Sequence, residues 1–281
     1  MNGTRLFYIG KVVGIMIDRF IEKWSEFMID LATSADNAYW LISHASYVFR
    51  TENIVWAVDP VLQADEHRLV DKELANCFEH LKFVLVTHLH ADHFDAHFLK
   101  AMENSKCMWI LPSFMTAEQR AKLPIDQSKI IYAEPGDTIG INGVRINVHK
   151  SLHRDTFNGV VHGVDENGYM VTVAERRYLF PGDVRNYPKA PVLPATDDLF
   201  AHVWLGRENA LTVKKTDIDT YAEYFSKANA KRIWLGHLYD YTRHISEMWT
   251  DEHAAAVSDA LHLLQPSAVI SAPHKLDKQL L

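Results

Sequence analysis

The chain has 281 residues, 48% hydrophobic and 23% charged, which is enough apolar mass for a large core without staples. A formal charge of −7 argues against a nucleic-acid binder working through a general basic face. Two cysteines, Cys77 and Cys107, are too few for a disulfide scaffold and read as reduced, partly buried thiols.

The first element is the run "KVVGIMIDRFIEKWSEFMIDLA". Its apolar residues Val13, Ile17, Phe20, Trp24, Met28 and Leu31 recur at three- and four-residue steps, which predicts an amphipathic helix within residues 1–36. Asp18, Arg19, Glu22 and Lys23 interrupt the run well short of a membrane span or a signal-peptide core. Packing on the body of the protein is the first expectation for this helix, with a dimer or membrane-surface contact as minority uses. A cytoplasmic protein is expected.

"YWLISHASYVFR" and "NIVWAVDP" then read as two strands joined by "TEN". A helical stretch follows from Asp71 to His80, then the short buried strand "FVLVT". "FDAHFLKAMEN" is helical, "CMWILP" a strand and "TAEQRAKL" a short helix. Turn signals at Pro135-Gly136 and Asn142-Gly143 mark hairpins in "KIIYAEPGDTIGINGVRINVHKS", and "GYMVTVAERRYLFPGD" is a further strand pair. Thr216 is expected to cap the helix "DIDTYAEYFSKAN", with Asp219 in the capping-box position. "KRIWLGH" is a strand and Thr250 opens a last helix through about Leu264. Residues 266–281 lack periodicity and read as a loosely attached tail. Strands in two groups, each followed by helices, predict two packed sheets with helices outside, a four-layer α/β sandwich over residues 37–265.

Sixteen histidines are the compositional oddity, and their placement carries the functional reading. Residues 87–93 read "THLHADH" directly after a strand. Residues two apart point to one side, so His88 and His90 reach one metal ion together. Asp92 and His93 lie beyond, where the chain turns into the next helix and a second ion site becomes available. Three later strands each end with a suitable donor: His153 in "HKSLH", Asp183 in "YLFPGD" and His237 in "IWLGH". His149, four residues before His153, competes with it as the third donor of the first site. His67, His80, His253, His262 and His274 read as solvated, His97 as packing, and His202 as a buried, satisfied histidine in mid-strand with a place near substrate as the lesser reading.

From about Tyr39 to past His237, the set His88-x-His90-x-Asp92-His93, His153, Asp183 and His237 resembles the metallo-β-lactamase superfamily. The resemblance implies the four-layer αββα fold and a dinuclear metal site. It implies one ion on His88, His90 and His153, a second on Asp92, His93 and His237, and Asp183 bridging them. Asp59 in "VDP" matches the family's early aspartate, which orients the metal loop from behind the ligands. "SHASYVFR" around His44 and "DHFD" ending at Asp95 resemble the branch containing ascorbate-6-phosphate lactonase and N-acyl-phosphatidylethanolamine phospholipase D.

Two divalent ions, zinc first and manganese or iron as options, then make a hydrolase of a small ester, lactone or phosphodiester the leading expectation. Asp92 is assigned to orient the nucleophile; His44, Tyr239 and Tyr241 are candidates to protonate the leaving group. A diiron-type oxidoreductase is the alternative, disfavoured because such members usually carry glutamate at the position of His90. A metal-binding module without catalysis is the reading from a different class. The expected partner is a small-molecule substrate, anionic if Arg207, Lys214 or Lys215 meets it; no nucleic acid is expected, and a homo-oligomer stays open.

Overall fold

The computed structural model describes residues 19–62, 70 and 74–281; Val13, Ile17, His67 and the expected helix start at Asp71 lie outside the described residues. The described part of the first helix, α1, spans residues 19–33. Strands β1 (Ala38–Ser43), β2 (Ser46–Thr51) and β3 (Ile54–Val58) follow, then helix α2 (residues 74–77) and β4 (Leu81–Leu85). Next come α3 (Ala96–Ala101), β5 (Met108–Pro112), α4 (Ala117–Ala121), β6 (Ile130–Ala133), β7 (Thr138–Ile141) and β8 (Val144–Lys150). A ribbon of β9 (Asp155–Phe157) and β10 (Val160–His162) precedes β11 (Asn167–Val173), β12 (Arg176–Phe180) and β13 (Asp198–His202). The chain closes with α5 (Lys215–Ser226), β14 (Arg232–Gly236), α6 (Asp251–Leu264), β15 (Val269–Ser271) and β16 (Lys278–Leu280).

These strands form two seven-stranded sheets, ordered β16-β1-β2-β3-β4-β5-β6 and β15-β14-β13-β12-β11-β8-β7. Successive side chains of a strand point to opposite faces, so strands buried on both faces read as continuous apolar runs. The inner faces meet in an aromatic layer that includes Tyr39, Phe49, Trp56, Tyr178, Phe180 and Phe200. Phe49 stacks on Trp56 with ring centroids 4.0 Å apart, and Phe180 on Phe200 at 4.5 Å. Outside the first sheet, Trp24, Phe27 and Leu31 of α1 pack with Trp40, Ile42 and Val84. Outside the second, Tyr221 and Phe225 of α5 and Val257 and Leu261 of α6 cover Leu199, Ala201, Ile233 and Leu235. The layers are therefore αββα, as the order of elements suggested.

Within the sheets β3 to β6 run parallel, as do β12 to β15, while β1 and β8 each lie two antiparallel pairings away from a parallel strand. The carboxyl ends of β1, β3, β4, β8, β12, β13 and β14 consequently share one edge, the place where loops converge in layered α/β folds.

Four local expectations are corrected. "YWLISHASYVFR" is a hairpin rather than one strand, turning at His44 and Ala45 between β1 and β2. Pro135-Gly136 carries the chain from β6 in one sheet to β7 in the other, whereas Asn142-Gly143 does close a hairpin. Helix α5 starts after Lys214, whose backbone N–H donates to Asp217 at 3.0 Å; Asp219 instead pairs with Lys215 at 2.6 Å. The tail is not loosely attached: β15 pairs with β14, β16 pairs with β1, and Leu276 is buried between them in the chain. Among the described residues, no helix is long and apolar enough to cross a membrane.

Candidate metal centre

The loop after β4 is held from below by a buried carboxylate. Thr87 donates through its backbone N at 2.7 Å and its Oγ1 at 2.6 Å to Asp59, which follows β3 with a left-handed φ of 46°. The same carboxylate accepts from His93 Nδ1 at 2.8 Å, which leaves His93 Nε2 facing the cleft, buried and without a hydrogen-bond partner. The backbone N–H groups of His93 and Phe94 both donate to His90 O, at 2.9 and 2.8 Å, and so turn the loop. Asp95 then caps α3 by accepting from His97 N and Phe98 N. His97, expected to pack, is exposed on α3.

Two donor groups result. His88, His90 and His153 each place a ring nitrogen within 4.8 Å of the others. His88 Nε2 lies 3.2 Å and His153 Nε2 3.0 Å from His90 Nδ1. One proton on His90 Nδ1 cannot serve both neighbours, but ligands of one tetrahedral ion with nitrogen at 2.0–2.1 Å sit about 3.3 Å apart, so the set fits a metal. Burial, then neighbouring histidine charge, lowers His88 to about 3 and His90 to about 4, and burial lowers His153 further; all three are neutral and able to ligate. His149 does not join them, and its buried Nε2 has no hydrogen-bond partner.

Asp92, His93, Asp183 and His237 form the second group. Asp183 Oδ1 is 3.4 Å from His93 Nε2, and its Oδ2 is 3.3 Å from His237 Nε2; Asp92 Oδ2 is 3.5 Å from His237 Nε2. Burial alone would raise Asp92, yet His93 and His237 hold it below the usual carboxylate range; Asp183 is lowered against its burial by His237 and His93. His237 adopts a left-handed φ of 63° while its backbone N–H donates to His44 O at 2.6 Å, which ties the β14 end to the β1–β2 turn.

Several contributors were not singled out from sequence. Glu166 is fully buried; its Oε1 lies 3.0 Å from His88 Nδ1 and accepts from Asp183 N at 2.7 Å. Burial and the Asp183 charge push it up to about 8. Ser151 Oγ is 2.6 Å from both Glu166 Oε2 and Pro181 O, and one hydroxyl proton cannot reach both. A neutral Glu166 resolves this by donating to Ser151, which donates to Pro181 O. Gly182, at φ 78°, is required beside it, because a Cβ there would run into the Glu166 carboxyl group. Arg243 donates to Asp92 Oδ2 at 2.9 Å and to Asp240 Oδ2 at 2.6 Å, and so fixes the Asp92 carboxylate.

His202 ends β13 rather than sitting mid-strand; its Nδ1 is 2.8 Å from Asp183 Oδ1 and its Nε2 3.1 Å from Tyr47 OH, so it is buried, satisfied and beside the centre. His44 Nε2 is buried, has no hydrogen-bond partner and lies 4.0 Å from Asp92 Oδ2. Burial first, then His237, lowers His44 to about 3. His44, Tyr239 and Tyr241 line a cavity of about 540 Å³ next to the centre. Tyr239 OH accepts from Asp251 N at 3.1 Å, and Arg207 is engaged by Asp155 at 3.5 Å and Glu247 at 3.4 Å, not by the donor groups. His253, expected to be solvated, is part-buried against Ala210 O at 2.8 Å.

A family model described as "Beta-lactamase superfamily domain" matches residues 39–199. Among solved structures, the diiron beta-hydroxylase CmlA from Streptomyces venezuelae is similar at 16% identity with a TM-score of 0.63, over 89% of this chain and 55% of that one. The chain thus spans little more than half of the hydroxylase's length. The metallo-beta-lactamase fold protein YhfI from Bacillus subtilis is similar at 15% identity with a TM-score of 0.60, covering 87% of this chain and 99% of that one. Igni18, a metallo hydrolase from Ignicoccus hospitalis, is similar at 13% identity with a TM-score of 0.59, covering 87% and 98%. A search of curated protein sequences gives no match.

Proposed function

The chain belongs to the beta-lactamase superfamily and has the metallo-β-lactamase fold, and from that premise we propose that it is a dinuclear metal-dependent hydrolase of a small ester, lactone or phosphodiester. The observation that carries this reading is the pair of adjoining donor groups, one of three neutral imidazoles and one of two imidazoles and two carboxylates. His88, His90 and His153 would hold one ion; Asp92, His93 and His237 would hold the other, with Asp183 shared. Two divalent ions there, zinc being the best suited to this donor set, would lower the pKa of a shared water and polarise the carbonyl or phosphoryl oxygen under attack.

The protein's own residues do the rest. Glu166 and Asp59 fix the rings of His88 and His93 by receiving their second nitrogens, and His202 fixes Asp183. Arg243 holds Asp92 in one orientation, from which its carboxylate would accept a hydrogen bond from the attacking water and so orient it. Burial, then the His237 charge, lowers His44, so it would meet the substrate as a neutral hydrogen-bond partner. Histidine rather than glutamate at position 90 favours hydrolysis over diiron redox chemistry. The motifs "SHASYVFR" around His44 and "DHFD" ending at Asp95 are what point to the lactonase and phospholipase D branch within the family.

The test is elemental analysis of purified protein and its His90→Ala variant. About two equivalents of zinc or manganese, reduced in the variant, are expected, together with hydrolysis of one class in a lactone, ester and phosphodiester panel. Iron at both positions would turn the reading toward the oxidoreductase, and protein that stays empty when offered metal would end it.

A further inference from the structure

Two residues past Asp183, the chain buries a guanidinium beside the metal centre. Arg185 is only 4% exposed. Its backbone N–H donates to Leu152 O at 2.6 Å, and its guanidinium lies over the Trp204 ring at 3.8 Å from the centroid, so the side chain is pinned at both ends. Trp204 is fixed in turn, its carbonyl accepting from Tyr187 OH at 2.7 Å.

The guanidinium nevertheless has no hydrogen-bonded anion, only the more distant Asp183. Its Nε is buried without a hydrogen-bond partner, and Nη2 is 4.0 Å from Asp183 Oδ2, too far for a hydrogen bond. That carboxylate is already engaged by His93, His202 and His237. The other two arginines of the cleft are matched: Arg243 by Asp92 and Asp240, Arg207 by Asp155 and Glu247. A buried guanidinium with unmade hydrogen bonds is costly, and a planar fork of donors suits one class of partner above others, an oxyanion.

We propose that Arg185 is the recognition residue for an oxyanion group of the substrate, a phosphate or a carboxylate, bound beside Asp183 at the edge of the metal centre. The inference rests on the hydrolase reading only for which bond is then cleaved; the anion site stands on Arg185 and its surroundings. Substrates lacking such a group would leave the guanidinium unpaired and be turned over poorly.

The test is calorimetric titration of metal-loaded protein with inorganic phosphate and with acetate, in the wild type and in Arg185→Met, with metal content measured in both. One anion is expected to bind, identifying the group, and to bind about tenfold or more weakly in the variant at unchanged metal content. Equal affinity in the two proteins, or no binding of either anion to the wild type, would overturn the proposal. If Arg185→Met loses metal or fails to fold, Arg185→Lys decides. It keeps the charge and loses the fork, so several-fold weaker binding is expected and wild-type affinity overturns the proposal. Arg185-dependent anion binding in a protein that hydrolyses no ester would sink the hydrolase reading and leave this one standing.

Discussion

At the residue scale, the centre divides into donors that announce themselves and supports that do not. His88, His90, Asp92 and His93 are legible because four donors crowd one turn, and His153, Asp183 and His237 because each ends a strand at the edge the sheets share. Glu166 gives no such signal. In "VDENG" it reads as a turn residue, and only the register of β11 against β8, with Asn167 opposite Lys150, sets it beside Ser151 and His88. Its neutral state makes a sharp prediction. Glu166→Gln keeps an acceptor for His88 and Asp183 N and a donor for Ser151, so metal affinity should change only a few-fold. Glu166→Leu removes both, and a loss of about 10–100-fold is expected from ligand-orienting groups of this kind. Competition with a chromogenic chelator measures both; equal affinities in wild type and the leucine variant would show that Glu166 orients nothing.

Elements were read well where they are long and periodic, and poorly where a partner defines them. Helices α1 and α6 and strands β8, β11 and β14 follow from their apolar spacing. The hairpin at His44 is not legible in the sequence, because both of its strands are buried on both faces and no polar alternation marks the turn. The closing strands β15 and β16 have three residues each, too few for any period, and exist because β14 and β1 offer open edges. Truncation after Lys275 therefore should not be silent. It removes β16, the buried Leu276 and the Lys278–Asp36 pair, and it uncovers the edge of β1. A loss of about 2–3 kcal/mol is expected from the leucine burial alone, with aggregation at the bare edge, read by urea unfolding and light scattering. An unchanged urea midpoint would contradict the docking of the tail.

Across the whole molecule, the histidines that make the centre also set its response to acid. Burial leads the lowering of His44 and His88 to about 3 and of His90 to about 4, and it lowers His149, His153 and His202 as well. Each depressed group contributes stability that is present above its unfolded value of 6.5 and is lost as pH falls toward the folded value. His93 and His237 are raised by their carboxylates, so their contribution is complete below 6.5 and works against the loss only nearer neutrality. Glu166, at about 8 against 4.5 unfolded, gains stability as pH falls through that interval and offsets one histidine. The balance still favours proton uptake on unfolding, at about 1.4 kcal/mol per pH unit for each group left uncompensated. EDTA-treated protein should therefore be clearly less stable at pH 5 than at pH 7, with most of the loss below 6.5, where the unfolded histidines take up protons. Bound ions would steepen the fall, because every ligand histidine must stay deprotonated to hold them. Urea midpoints of the stripped protein at the two pH values make the measurement, and a flat response would show that these imidazoles are not held neutral inside the fold.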